Sequence, residues 1–142
     1  MAVAILTVDA PHWERLDTLL HEMHDHDFDL GGATYIAEEG LWRIPCSSAD
    51  TVGQISLAGL FRWLFSGART RQACREPLFD RLLTVSGVRA CQVDDRARIC
   101  QYTLNVIRLN REKNQVVIHF NEACKVLLDV EPGFVISLEA VR

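Results

Sequence analysis

The residues with the most capacity for chemistry are concentrated in one stretch, His21-Glu22-Met23-His24-Asp25-His26-Asp27-Phe28-Asp29. On a helix His21 and Asp25 lie one turn apart on the same side, with His24 beside them. His21, His24 and Asp25 therefore make a nitrogen-and-oxygen donor set of the kind that suits zinc or another divalent ion. Two more specific sites are excluded by spacing. A helical metalloprotease motif needs its histidines four apart, and here they are three apart. Asp25, Asp27 and Asp29 match the start of a calcium loop, but Leu30 stands where glycine is needed and Ile36 where glutamate is needed. The plain alternative is a solvated helix end. No other cofactor is expected.

A second candidate is His119, on a strand, with Tyr102, Leu104 and Val106 expected on the facing strand. A pocket lined by these four would hold a small molecule, with the imidazole able to act as general acid or base. Cys46 precedes a helix start, which lowers a thiol pKa, but no base is positioned beside it, so it reads as a structural residue. Arg62, Arg69, Arg71, Arg75 and Arg81 form a basic region. No aromatic residues interleave them as a base-stacking surface requires, so nucleic acid is not the expected partner. The Asp9–Glu39 stretch, with nine acids against one base, is at −8 and leaves +4 for the rest of a chain of net charge −4. Charge pairing between the two regions, within one chain or between two, is the simpler expectation.

These side chains must be positioned by a chain of 142 residues, 49% hydrophobic and 24% charged. That is enough for one domain over residues 1–142 that folds without disulfides or a structural metal. Five cysteines, an odd number with no two-residue spacing, argue for free thiols. The longest apolar run, Ile55 to Phe65, is too short to span a membrane, and Ala2–Val8 lacks the flanks of a secretory signal. The expected location is the cytoplasm.

Periodicity predicts the elements. Ala2–Val8 reads as a strand, and Asp9-Ala10-Pro11 stops it. Trp13, Leu16, Leu19, Leu20 and Met23 recur at helical spacing and predict an amphipathic helix. Ala33–Ala37 and Leu41–Ile44 predict a hairpin around Gly40. Val52–Phe65, apolar nearly all round, predicts a buried central helix, and Pro77 to Gly87 a second, shorter one. From Val88 the period changes to two, with strands expected at Val88–Val93, Arg98–Leu109, Gln115–Phe120, Cys124–Val130 and Phe134–Val141.

A turn at Glu112-Lys113 places Leu109 opposite Val116, Ile107 opposite Ile118 and Asn105 opposite Phe120. A hairpin loop at Glu131-Pro132-Gly133 pairs Val130 with Phe134, Leu128 with Ile136, Val126 with Leu138 and Lys125 with Glu139. The fold expected is α+β: a largely antiparallel sheet, mainly a C-terminal β-meander, packed against an amphipathic N-terminal helix and a buried central helix.

In this arrangement Tyr102, Leu104 and Val106, with Val117 and His119 across the ladder, make the sheet's second face apolar too. A sheet wetted on one side alternates cleanly, so something must cover that face. Together with the complementary charges, this predicts a non-catalytic assembly or binding module, a homodimer. The alternatives are a small-molecule-binding protein or enzyme around His119 and Tyr102, and a divalent-metal-binding protein using His21, His24 and Asp25.

Overall fold

A computed structural model of the chain describes residues 2–47, 79–96, 98–99 and 101–141. The expected central helix over Val52–Phe65, the arginines 62, 69, 71 and 75, and Cys74 and Cys100 lie outside the described residues. In chain order the elements are β1 (Ala2–Asp9), a short 3-10 segment (Ala10–Arg15), α1 (Leu16–Met23), β2 (Asp27–Asp29), β3 (Thr34–Ile36), β4 (Leu41–Ser47), β5 (Arg81–Asp95), β6 (Gln101–Asn110), β7 (Gln115–Phe120) and β8 (Cys124–Val141). Among the described residues strands make up 65% and helical segments, 3-10 included, 16%, so the α+β expectation gives way to a β-barrel.

All pairings are antiparallel and the sheet closes on itself. Hydrogen bonds run β8-β5-β4-β2-β6-β7, and β7 pairs back onto β8, so six strands form a closed barrel; β3 extends β4, and β1 lies on β8 beyond the end of β7. Following paired residues round from Arg81 through Cys46, Phe28 and β6 to Phe120 and Cys124 returns to β5 at Asp95, the far end of that strand. Such a stagger means strands steeply tilted about the barrel axis.

Closure explains the sequence pattern. Ile44, Leu83 and Leu138 form one inward row, and Trp42, Val85, Ile136 and Val8 the next, all buried. Helix α1 presents Leu16, Leu19 and Met23 to the core and packs against both β1 and β6, as its apolar stripe predicts. It is the one α-helix among the described residues. Trp13, in the segment before it, stacks edge-on against Phe134, ring centres 5.7 Å apart.

Several local expectations hold. The β3–β4 hairpin turns through Gly40 at φ 60°, and β6 and β7 pair Leu109 with Val116 and Ile107 with Ile118. Two do not. The segment Arg81–Gly87, expected to finish a helix, is the first half of β5: Leu83 and Val85 point inward while Thr84 pairs with Arg43 and Ser137. A short apolar run does not reveal its own period, and the β-branched Thr84 and Val85 favour the strand.

The hairpin at Glu131-Pro132-Gly133 is also absent. Residues 124–141 form one continuous strand along β5, with Leu128 opposite Cys91, Ile136 opposite Val85 and Lys125 opposite Asp94. The three loop residues are extra length on β8 as the register shifts past Gly87. Pro132 cannot donate to a ladder, and an unpaired bulge is where a strand tolerates it.

Gly87 answers that bulge. It sits at φ 76°, and a Cβ there would lie 3.1 Å from the Phe134 Cα. Gly87→Ala is expected to cost about 1–2 kcal/mol, from the left-handed backbone and the tight contact together. Urea unfolding measures it; a neutral result would contradict the register at this point.

Candidate functional site

Two polar regions stand out, at opposite ends of β5. At the first, Arg81 begins the strand in phase with the inward-facing Leu83 and Val85, so its guanidinium is directed to the rim of the barrel interior. A partly desolvated guanidinium requires acceptors. Its Nη1 lies 3.1 Å from Glu22 Oε1 and 2.8 Å from His26 Nε2.

His26 is 3% exposed. Because arginine only donates, Nε2 must be the acceptor, and the neutral ring carries its proton on Nδ1. Nδ1 is buried and has no hydrogen-bond partner among the described residues. Burial, and then the Arg81 charge, hold the imidazole pKa below its usual value, against weaker opposite pulls from Glu22, Asp80 and Asp25. Among the described residues, Arg81 is thus a basic residue that meets the acidic N-terminal stretch within one chain. A cavity of about 420 Å³ opens beside it, lined by Asp29, Gly32, Pro45, Phe79, Arg81 and Val141 among others. Cys46 pairs with Arg81 in the ladder, and burial pushes its thiol up to about 12, so it packs as a small hydrophobe.

The second region surrounds His119. The outward positions of adjacent strands fall in register: Val106, His119, Lys125 and Asp94 form one row, and Arg108, Val117 and Leu127 the next. Burial first, then the charges of Arg108 and Lys125, lower the His119 pKa. Two grooves meet at this imidazole. One of about 560 Å³ runs along Arg108, Arg111, Glu112 and Val117, and one of about 290 Å³ along Asp94, Arg96, Cys124 and Lys125.

The four residues expected to line one pocket are divided between two surfaces. Val106 and His119 face each other on the outside, whereas Tyr102 and Leu104 are buried inside the barrel. The cause is a bulge between Leu104 and Val106, which shifts the alternation by one residue. The sequence carried a sign of it, since the expected register set polar Asn105 against Phe120. Of the face expected to need cover, Tyr102 and Leu104 are core residues, whereas Val106, Val117 and His119 stay outside and partly buried.

The Tyr102 hydroxyl donates to Asp95 and accepts from the Ile99 N–H at 3.1 Å, while the Arg98 N–H donates to Asp95 at 2.9 Å. Burial, then the Asp95 contact, raise the phenol pKa. Tyr102 therefore ties the loop after β5 to the barrel interior. Cys124, nearby, is likewise pushed up to about 11 by burial.

The residues read as metal donors lie at the end of α1. His21 and His24 stack with ring centres 5.5 Å apart; His24 Nδ1 contacts the His21 carbonyl at 2.7 Å and its Nε2 lies 3.0 Å from Asp25. All three side chains are exposed. Among the described residues no group of three or more His, Cys, Asp or Glu side chains converges on a point that could hold a metal ion. None of the described helices is long and apolar enough to cross a membrane.

Fold and sites together define a small, closed, six-stranded antiparallel β-barrel with a partly buried arginine on a buried histidine at one rim and a cationic outer face at the other. No family model, curated protein or solved structure matches this chain.

Proposed function

We propose that this protein is a non-catalytic assembly module that acts as a homodimer through the free edge of β1. The observation that carries the reading is an apolar strand edge. Among the described residues β1 pairs only with β8, leaving its other edge of backbone donors and acceptors without a strand partner. Three of the exposed large hydrophobic residues gather there: Val3 at 53%, Ile5 at 41% and, on the adjoining strand, Val141 at 40%. Unpaired edges recruit other strands unless charge, proline or a bulge blunts them; β1 has no proline, carries charge only at its last residue, Asp9, and has one irregularity, at Ile5.

A second copy suits this edge. Two identical strands meeting antiparallel about a two-fold axis set each residue of one against the matching stretch of the other, and here no charged side chain meets its like. The reason for assembly thus moves from the sheet's second face, of which the barrel buries Tyr102 and Leu104, to its edge. The odd cysteine count and the free thiols of Cys46, Cys91 and Cys124 suit a cytoplasmic setting.

Native mass spectrometry and light scattering of untagged protein at micromolar concentration are expected to report a dimer. Ile5→Lys places a charge on the shared edge of each copy and is expected to yield a monomer that melts within a few degrees of the parent. A monomeric parent, or a variant that stays dimeric, would refute the edge assignment.

A further inference from the structure

We propose that the outer face of β6, β7 and β8 around His119 is a binding site for an amphipathic organic anion, its apolar body lying over Val106, Val117 and Leu127 and its acid group held by Arg108, His119 and Lys125. The site is separate from the β1 edge and does not depend on dimerisation. Three features support it.

The first is register. His119 is directly opposite both Val106 and Lys125, and Arg108 is diagonal to it through Val117. Directly opposed side chains start about 5 Å apart and diagonal ones about 7–8 Å, so these three basic groups can close on one acid group. The second is shape and polarity. Val106, Val117 and Leu127 are only partly buried and make an apolar floor. The grooves of about 560 and 290 Å³ that meet at His119 are of the size that holds a small organic molecule.

The third is charge. The two grooves carry Arg96, Arg108, Arg111 and Lys125 against Asp94 and Glu112, a local balance of +2 before His119 is counted, on a chain of net charge −4. Asp94 lies opposite Lys125 but also has Arg96 Nε 3.5 Å away, so Lys125 does not answer it alone. Apolar floor and cationic rim together select a carboxylate, sulfonate or phosphate attached to an apolar group over either part alone.

Binding couples to the His119 proton. In the free protein burial and the flanking charges of Arg108 and Lys125 oppose protonation; an anion in the grooves favours it, so affinity rises as pH falls through the lowered imidazole value. Asp94, Arg96, Arg111 and Glu112 are the other charged groups facing the grooves.

Naphthalene sulfonate is a suitable probe because its charge is constant from about pH 8 to about pH 5, where histidine titrates. Titrated into the ¹⁵N-labelled full chain, it is expected to give saturable shifts confined to the amides of residues 106–108, 117–119 and 125–127. Neutral naphthol is expected to bind at least about tenfold more weakly, and the double variant R108E/K125E to weaken the sulfonate by about tenfold or more. The His119→Gln variant is expected to bind the sulfonate at about pH 8 nearly as the parent does but to lose the tightening toward about pH 5. Thermal melts check that both variants remain folded. Equal affinity for naphthol, shifts centred on Val3 and Ile5, or unchanged affinity in the folded R108E/K125E variant would each overturn the proposal.

Discussion

Trp42→Ala is expected to remove about 3–5 kcal/mol of folding stability, a large part of the total for a domain of this size. Trp42 is 1% exposed, within an inward row that runs from Val8 through Ile136 and Val85 to Trp42 and on to Tyr35 of β3. Truncating the indole opens a cavity where four strands meet, and the barrel wall cannot collapse into it without shifting the ladders on both sides of β4. The neighbouring side chain makes the control. Arg43 points outward from the same strand and donates from Nε to the Thr34 hydroxyl at 3.3 Å, so Arg43→Ala is expected to change stability by no more than about 0.5 kcal/mol. Urea unfolding of the two variants at neutral pH measures the difference. A loss below about 1 kcal/mol for Trp42→Ala would mean that the inward row is not the core.

How far the fold was legible follows from which contacts are local. β1, α1, the β3–β4 hairpin and the β6–β7 hairpin each declare themselves within a window of some twenty residues, by β-branched runs, a helical stripe or a turn with Gly40 at its corner. The pairings that close the barrel are not of that kind. β8 lies against β5 along its whole length, and β2, only Asp27–Asp29, links β4 to β6 across more than fifty residues of sequence on one side. Glu131-Pro132-Gly133 has real turn chemistry, but whether such residues turn the chain back or bulge from a continuing strand is decided by the partner strand. Here the partner is β5, whose first half carries apolar spacing that equally suits a helix.

The site suffered from the same cause at smaller scale. Val106 and His119 are ladder partners, as the hairpin register predicts, but one bulged residue between Leu104 and Val106 turns Tyr102 and Leu104 to the inside. Of the basic segment only Arg81 is described, and it meets Glu22 of the acidic stretch, with His26 beside it. What no periodicity shows is that Arg81 takes an inward position at the rim, where it needs a buried histidine as acceptor.

That buried histidine makes stability depend on pH with a definite sign. His26 in the folded protein resists protonation because of its burial and then the Arg81 charge, while in the unfolded chain it takes up a proton near 6.5. Protonation therefore favours the unfolded state. The contribution of neutral His26 is fully present above pH 6.5 and is lost as pH falls from there through the lowered folded value. The parent protein is expected to lose stability steadily from about pH 7.5 to about pH 5, and His26→Gln, which does not titrate and still offers Arg81 an acceptor, to flatten that slope.

His119, also shifted downward, adds a smaller slope of the same sign, and Asp27, shifted upward by burial, one of opposite sign beginning above 3.8. The difference between parent and His26→Gln is thus the quantity to read. Arg81→Leu removes only the second cause, so its slope should lie between the two. It should also lower stability at neutral pH. A hydrogen bond from a charged group contributes about 1.5–3 kcal/mol, and here the bond to buried His26 should dominate, since Glu22 is 46% exposed and its share is screened by water. Urea unfolding of the three proteins across that range tests this. Parallel curves for parent and His26→Gln would show that the histidine is hydrated and protonates as freely in the folded barrel as outside it.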